Sequence, residues 1–276
     1  MNSQSGSGNG QGQGHAASSE PALGADVLAE ATGPDGELLT LRRAGGGFEI
    51  VSAARRGESI DSASARVLMA SAARRCETEL SNFVMGPLRD RNDITVLLAG
   101  LGMGYTLSTL LQSPRVIRVD VVEHSPAIIE WNRTHLSTLH NEPPLADSRV
   151  HVHTMGLSDY LRSMRYGTIP GLQLENGGYL AVVLDLDHGP SELLRSQNAS
   201  LYSDDGLQDL EGALRAGGVL ALWSTQREPE LLASLQSRFQ NLAEVAIPVD
   251  VPGKTGLDYL YRARKRASAN RSRAQA

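Results

Sequence analysis

Two arrangements of apolar and polar residues divide the chain. Before residue 90 the apolar stretches are short, and residues 37–52 predict two strands joined at residues 44–47. A helical stretch is predicted over residues 63–83. From Ile94 onward, short continuous apolar runs alternate with amphipathic segments. That alternation is typical of strands that alternate with helices.

The apolar runs of the second part predict seven strands. They cover residues 94–99, 116–123, 150–154, 179–185, 219–223, 244–251 and 258–261. Helices are predicted between most of them, and one begins at Ser125-Pro126, since serine is a good N-cap and proline suits the first helical position. Near-continuous apolar strands connected by helices form a parallel sheet covered on both faces. The expected fold is therefore α/β, a doubly wound, mostly parallel seven-stranded sheet with a small N-terminal β-region.

The composition at the two ends predicts flanking tails. Residues 1–20 are mostly Gly, Ser, Gln and Asn, which bury too little apolar surface to order the chain, so a disordered tail is expected. Residues 21–90 are assigned to a small hairpin and helix region, and residues 91–261 to the α/β domain. Residues 262–276 hold six basic residues and no acidic one, and a solvated basic tail is expected.

Composition and charge exclude several classes of protein. The chain has 276 residues, one cysteine and a net charge of −5. One cysteine cannot build a disulfide framework or a CxxC site, and no set of ligands with metal-site spacing is legible, so no metal is expected. No apolar run has the length of a membrane span, no signal-peptide pattern begins the chain, and the acidic body disfavours nucleic acid. A cytoplasmic protein without membrane or nucleic-acid partners is expected.

A glycine-rich turn follows the first strand of the predicted sheet. Within VLLAGLGMGYTL, Gly100, Gly102 and Gly104 stand between strand and helix, and Glu123 ends the next strand 19 residues later. Such a turn lets backbone approach a ligand, and the acid is placed to accept both ribose hydroxyls. The pattern fits a dinucleotide or S-adenosylmethionine, and Tyr105 in place of a third dinucleotide-type glycine favours the latter. A tight turn in a sheet without nucleotide is the alternative.

Acidic residues follow the fourth strand of the predicted sheet. Asp185 and Asp187 share one strand face while the chain stays extended, and a carboxylate there can orient an amine and accept its proton. The alternative is that the two residues cap a turn. His188 is a candidate acid or base, or a solvated loop residue. Tyr202 is a candidate to close the site over a substrate, or a packing residue at its rim.

Three segments resemble the spermidine synthase-like proteins, a branch of the class I S-adenosylmethionine-dependent methyltransferase fold. They read VLLAGLGMGYTLSTLL, VDVVEHSPAIIEWNR and VVLDLDHGPSELL followed by LYSDDGLQDLEGALRAGGVLALWS. The resemblance covers about residues 37–240. It implies a Rossmann-like domain and transfer of an aminopropyl group from decarboxylated S-adenosylmethionine to an amine, releasing methylthioadenosine.

The resemblance also implies roles for individual residues. The three turn glycines would line the nucleoside and sulfonium, Glu123 would hold the ribose, and His124 is assigned to the same cofactor site. Asp185 falls at the family's catalytic aspartate, with Asp187 as a second acid. Substrate-facing acids in the preceding helix correspond to Glu77 or Glu79, of which Glu79 is the one assigned. The expected partner is a small-molecule amine, and dimers among the relatives imply a possible homodimer.

Two departures from the family pattern keep other functions open. Met103 stands where the synthases carry an acid that binds the donor ammonium, and Gly156 stands where they carry an aspartate that contacts adenine. Asp159, one turn later, is a candidate substitute. Met103 favours intact S-adenosylmethionine and a methyltransferase. Gly156 favours a non-catalytic descendant that keeps the sheet as a binding or structural module.

Overall fold

The N-terminal part is a small antiparallel sheet. The computed structural model describes residues 26–174, 177–186, 188–249 and 255–267. The strands of this part are β1 (Val27–Thr32), β2 (Leu38–Ala44), β3 (Gly47–Ala53), β4 (Arg55–Arg56), β5 (Ser59–Ile60) and β6 (Arg66–Ala70). The sheet has the order β1-β2-β3-β6, and β4 pairs with β5. The predicted hairpin of residues 37–52 is therefore confirmed.

The helix predicted over residues 63–83 is wrong in its first half. Residues Arg66–Ala70 form β6, which pairs antiparallel with β3, with Met69 opposite Ile50. The helix, α1, spans Arg75–Met85. The segment RVLMA has no strong local signal, and the edge of β3 supplies the hydrogen-bonding partner that makes it a strand.

The rest of the described chain forms the α/β layer. Its elements are β7 (Ile94–Ala99), α2 (Tyr105–Leu111), β8 (Val116–Glu123), α3 (Pro126–Arg133), β9 (Val150–Thr154), α4 (Leu157–Arg165), β10 (Tyr179–Leu184), α5 (Asp204–Ala213), β11 (Leu214–Ser224), α6 (Pro229–Arg238), β12 (Gln240–Pro248) and β13 (Leu257–Arg264). In the described residues the sheet has seven strands in the order β12-β13-β11-β10-β7-β8-β9. β13 runs antiparallel to its neighbours, and the pairs from β11 to β9 are parallel. The expected fold class is confirmed.

Burial explains why these residues form a two-sided sheet. All six residues of β10 are buried, as expected for a strand with neighbours on both sides and helices on both faces. Along β7, Val96 and Leu98 join one apolar cluster, while Leu97 and Ala99 join the other. The side chains of one strand therefore supply both faces of the core.

The N-terminal sheet belongs to one of these two cores. Leu41 and Ile50 of this sheet are fully buried in the cluster that contains Leu80 of α1, Leu107 of α2 and Ile128 of α3. The other cluster is built from the opposite face of the large sheet with α4, α5 and α6. The small sheet is thereby fixed over the side of the large sheet that carries α1, α2 and α3.

The predicted basic tail begins too early. β13 continues to Arg264, and Lys265 donates from Nζ to the carbonyl oxygens of Glu211 and Leu214 at 2.8 and 2.5 Å. These contacts attach the segment to the end of α5. The predicted tail at residues 1–20, and residues 268–276 of the predicted basic tail, lie outside the described residues. In the described part of the chain, no helix combines the length and apolar character needed to cross a membrane.

Candidate nucleoside site

The glycine turn lies at the carboxyl edge of the sheet, between β7 and α2. Gly100 has a φ of 90°, and a Cβ there would collide with the backbone carbonyl oxygen of Asp185 on the neighbouring strand. The turn is held from outside, since Asn132 Nδ2 donates to the Gly102 carbonyl at 2.8 Å. His140 Nε2 donates to the Met103 carbonyl at 2.9 Å. The backbone of the turn is therefore fixed against the ends of two strands.

The side chain of Met103 points away from the turn. It is 4% exposed and belongs to the apolar cluster under the N-terminal sheet. The place where the resemblance implies an acid therefore presents backbone and no carboxylate. Gly104, the last turn glycine, is the N-cap of α2.

Glu123 ends β8 beside the turn and is buried. Its Oε2 accepts from the Leu101 N–H at 3.0 Å, and its Oε1 accepts from the Ser125 N–H at 2.8 Å. Burial raises the pKa of Glu123, and the backbone N–H groups of Ser125, Leu101 and His124 act against that increase. A carboxylate has about four lone-pair sites, so the group is oriented by these three donors and can still accept from a ligand hydroxyl.

Asp185 follows β10 and is held by two side chains. Thr106 Oγ1 of α2 donates to its Oδ2 at 2.6 Å, and Trp223 Nε1 of β11 donates to its Oδ1 at 2.9 Å. Burial raises the pKa of Asp185, and these two hydrogen bonds lower it in part. The carboxyl group therefore has a fixed orientation and a greater proton affinity than a solvated aspartate.

A cavity of about 460 Å³ brings these groups together. The carboxyl edge of the sheet forms its floor, with Gly100, Gly102, Glu123 and Asp185. The opposite wall comes from the N-terminal sheet and the segment after Asp185, and includes Asp35, Leu39, Ser52, Arg66, Leu68, Met69, Leu194 and Arg195. The cavity therefore lies between the two sheets, with each contributing one side.

The residues that follow β8 and β9 form one part of the cavity lining. They are His124, Met155, Gly156 and Leu157. Burial and the charge of Arg195 lower the pKa of His124, so its imidazole is held neutral near pH 7. His124 Nδ1 is buried and has no hydrogen-bond partner among the described residues. A Cβ on Gly156 would lie 3.8 Å from both His124 Nδ1 and Asp159 Oδ2, which places these two polar atoms beside Gly156 in the pocket.

An ion pair joins the two sides of the cavity over this site. Arg195 donates from Nε to Asp35 Oδ2 at 2.8 Å and from Nη2 to Asp35 Oδ1 at 2.9 Å. Gln197 Nε2 adds a contact to Asp35 at 3.3 Å. The partners are 160 positions apart in the chain, and their contact fixes the segment after β10 to the turn between β1 and β2.

A second acid, half-buried and with a buried carboxyl oxygen, lies near Asp185. Glu77 is in the first turn of α1, and its Oε2 has no hydrogen-bond partner among the described residues. Burial raises the pKa of Glu77 to about 8, with a further contribution from the charge of Asp185. Glu79, the acid assigned from the sequence, is exposed on the same helix. Burial and charge therefore distinguish Glu77 from Glu79.

Other predicted substrate residues lie away from the cavity wall. The His188 ring packs on Trp223 with centroids 5.5 Å apart, and its Nδ1 lies 3.1 Å from Glu192 Oε1. Tyr202 packs against the apolar cluster of α4 to α6. Asp187 lies outside the described residues. Of the acids predicted after β10, Asp185 is thus the one seen at the cavity.

The Gly189-Pro190 element belongs to a structural anchor. Gly189 has a φ of 107°, and a Cβ there would collide with Ser224 Oγ. Buried Glu228 accepts from Ser191 Oγ at 2.7 Å and from Ser224 Oγ at 3.1 Å. These contacts hold the segment after Asp185 against the end of β11.

Sequence reasoning did not find several residues of the site. Trp223 was findable, because it lies at the carboxyl end of the predicted strand next to β10, where ligands of such sheets bind. Thr106, Asp35 and Arg195 carried no such signal. Their roles depend on contacts between distant segments.

Comparison with solved structures supports the fold. Spermidine synthase from Thermotoga maritima is similar with a TM-score of 0.64 and 15% identity, over 87% of this chain and 73% of that one. A spermidine synthase in complex with the transition state analogue AdoDATO gives a TM-score of 0.63 and 15% identity, over 87% and 72%. Human methyltransferase-like protein 13 in complex with SAH gives 0.50 and 20%, over 71% and 84%.

Searches by sequence gave no match. No protein-family model matches the chain, and no curated protein matches it. At 15–20% identity the structural likeness establishes the fold alone. The chain has a spermidine synthase-like class I methyltransferase fold.

Proposed function

We propose that the protein is a transferase that moves an alkyl group from an S-adenosylmethionine-type sulfonium donor to an amine. The resemblance of the sequence makes aminopropyl the first candidate for that group. The observation that carries the proposal is Asp185, a half-buried carboxyl group oriented by Thr106 and Trp223, at a cavity whose floor is a glycine turn beside Glu123.

The described residues fit an adenosyl group. We assign the ribose hydroxyls to Glu123, whose oxygens are oriented by two backbone donors. The adenine is assigned to the pocket of His124 and Gly156, where the unpartnered His124 Nδ1 is available to the base. The sulfonium then lies over Gly100 and Gly102, which carry no side chain that would exclude it. Gly104 supports the site indirectly, because it begins α2.

The proposed reaction is a displacement at carbon. The amine nitrogen forms a bond to the carbon attached to sulfur, the carbon–sulfur bond breaks, and its electron pair stays on sulfur as a neutral thioether. The nitrogen must be unprotonated to attack, so a proton passes from the acceptor ammonium to Asp185. The raised pKa of Asp185 suits this role, and Thr106 and Trp223 fix its orientation.

The proposal makes a prediction for Asp185→Asn. The amide keeps the shape and can still accept from Thr106 or Trp223, but it cannot take a proton. We expect alkyl transfer to fall by at least about a hundredfold, within the range found for general bases, with methylthioadenosine affinity unchanged within about threefold. The control is Asp90→Asn, an exposed residue before β7. Unchanged transfer by Asp185→Asn removes the residue from the mechanism, and absence of any adenosyl binding by the wild type refutes the proposed function.

Methyl transfer from intact S-adenosylmethionine is the second candidate. It is favoured by Met103, which leaves the turn without an acid for the donor ammonium, because a donor that keeps its carboxylate can be bound by backbone N–H groups instead. Product analysis separates the candidates, because aminopropyl transfer releases methylthioadenosine and methyl transfer releases S-adenosylhomocysteine.

A further inference from the structure

Arg66 is a cation at the cavity that the proposed reaction does not use. It begins β6, lies opposite Ser52 of β3, and lines the cavity together with Leu68 and Met69. Its Nη2 donates to the Leu194 carbonyl at 3.0 Å. A neutral carbonyl satisfies one donor of a guanidinium that has five.

The other charged groups of this wall have partners of their own. Arg195 is engaged by both oxygens of Asp35. Glu37 accepts from the Asp35 N–H at 2.9 Å. No carboxylate in the described part of the chain lies within ion-pair distance of Arg66.

Glu192 interacts electrostatically with Arg66, but its carboxylate already has two other partners. Glu192 interacts through Oε1 with His188 Nδ1 at 3.1 Å and accepts through Oε2 from Thr225 Oγ1 at 3.0 Å. The His188 contact is the largest cause that lowers the pKa of Glu192, and the charge of Arg66 is the smallest. Among the described residues, this exposed arginine at the cavity therefore has no carboxylate as an ion-pair partner.

We infer that Arg66 binds a carboxylate group of a ligand in this cavity. The inference rests on the proposed function and deepens it. A guanidinium matches a carboxylate through two parallel N–H donors, and the same charge repels an ammonium placed there. The carboxylate belongs either to the amino-acid end of intact S-adenosylmethionine or to an acceptor that carries an amine and an acid.

The first arm of the test measures the donor. Calorimetric titration compares S-adenosylmethionine with its decarboxylated form on the wild type, Arg66→Gln and Arg66→Lys. If the donor supplies the carboxylate, the wild type prefers the intact form by at least about tenfold, Arg66→Gln abolishes the preference, and Arg66→Lys keeps part of it. Arg55→Gln is the matched control, since Arg55 is an exposed arginine of β4 outside the cavity wall.

The second arm measures the acceptor, with the protein saturated by methylthioadenosine. The probes are 4-aminobutanoate and 1,4-diaminobutane, which share a chain length and differ in one end group. If the acceptor supplies the carboxylate, the wild type prefers the amino acid by at least about tenfold and Arg66→Gln removes that preference. Methylthioadenosine, which has no carboxylate, is the ligand control and must bind Arg66→Gln within about twofold of the wild type.

The outcomes separate this inference from the proposed function. Equal affinities within both pairs of compounds, or a preference that survives Arg66→Gln, overturn the role of Arg66 while adenosyl binding leaves the proposed function standing. If no adenosyl compound binds the wild type, both fail together. A preference in either arm that requires Arg66 supports the inference and identifies which ligand carries the acid.

Discussion

The floor of the cavity and its opposite wall, here called the roof, are held in place by different kinds of contact. The floor is backbone at the ends of adjacent strands, where Gly100 fits against the carbonyl of Asp185 and Glu123 is fixed by two backbone N–H groups. The roof is held by side chains from distant segments, with Asp35 bonded to Arg195 and Arg66 bonded to the Leu194 carbonyl.

This difference suggests that the floor binds the nucleoside rigidly, and that side chains of the roof decide which ligand is preferred. A change in the floor displaces backbone that also belongs to the sheet, so folding and nucleoside binding should fail together. A change in the roof alters partly exposed side chains, and exposed ion pairs contribute little to stability. The substitutions below test that division.

The largest effect is expected for Gly100→Ala. The new Cβ would collide with the Asp185 carbonyl oxygen at a φ of 90°, and strain and overpacking together cost about 2–5 kcal/mol of unfolding free energy. Gly167→Ala is the control, since Gly167 has a φ of 66° but open space around its Cβ, and should cost about 1 kcal/mol. Denaturant unfolding measures both, and equal losses would contradict the packing argument.

Glu123→Gln should weaken nucleoside binding strongly. In glutamine an NH2 group replaces one of the two carboxylate oxygens. That group cannot accept a hydrogen bond, so the bond from either the Leu101 N–H or the Ser125 N–H is lost. Methylthioadenosine affinity should fall about ten- to a hundredfold by calorimetry. Glu130→Gln, at an exposed position on α3, is the control. An unchanged affinity would mean that Glu123 is structural only.

Glu77 should make stability fall as the pH rises. Its pKa is about 8 in the folded protein against 4.5 as the ordinary value, so folding retains a proton that the unfolded chain releases. Unfolding free energy is therefore lost between about pH 4.5 and pH 8, by up to about 1.4 kcal/mol per pH unit for this one group.

Thermal unfolding across that range checks the prediction. Glu77→Gln should flatten the pH dependence, while Glu79→Gln, exposed on the same helix, should leave it as in the wild type. Parallel curves for wild type and Glu77→Gln would show that Glu77 is ionised in the fold.

Asp35→Asn should have the smallest effect. It removes the charge from the pair with Arg195, whose hydrogen bond is the largest cause lowering the pKa of Asp35. Because the pair is partly exposed, the cost is at most about 1 kcal/mol, seen as up to about fivefold faster nucleoside release in stopped flow. Asp61→Asn, which breaks the pair with Arg56 outside the cavity, should not change release. If Asp35→Asn weakened nucleoside binding as much as Glu123→Gln does, the roof and the floor would not differ in the way proposed here.

The floor could be predicted from the sequence because its signals are local. Gly100, Glu123 and Asp185 each follow an apolar run, and parallel strands bring their carboxyl ends together whatever the details of packing. The apolar run of β10 likewise predicts a central strand, and all of its residues are buried.

The roof could not be predicted because its contacts are not local. Asp35 and Arg195 have no distinguishing pattern around them in the sequence. The local sequence of β6 predicts helix, and its pairing with β3 makes it a strand. Glu77 and Glu79 are two positions apart, and only the packing of α1 shows that the first is half-buried.

The apolar cluster shared by the two sheets has a consequence for any attempt to shorten this protein. Leu41 and Ile50 share this cluster with Leu80 of α1, Leu107 of α2 and Val96 of the large sheet. Cutting the chain near residue 90 would remove the small sheet and α1. The remaining domain would expose an apolar surface that favours association, next to a cavity that has lost one wall. The α/β domain alone, residues 91–261, should therefore precipitate. Any engineered exchange has to move the small sheet together with the large one.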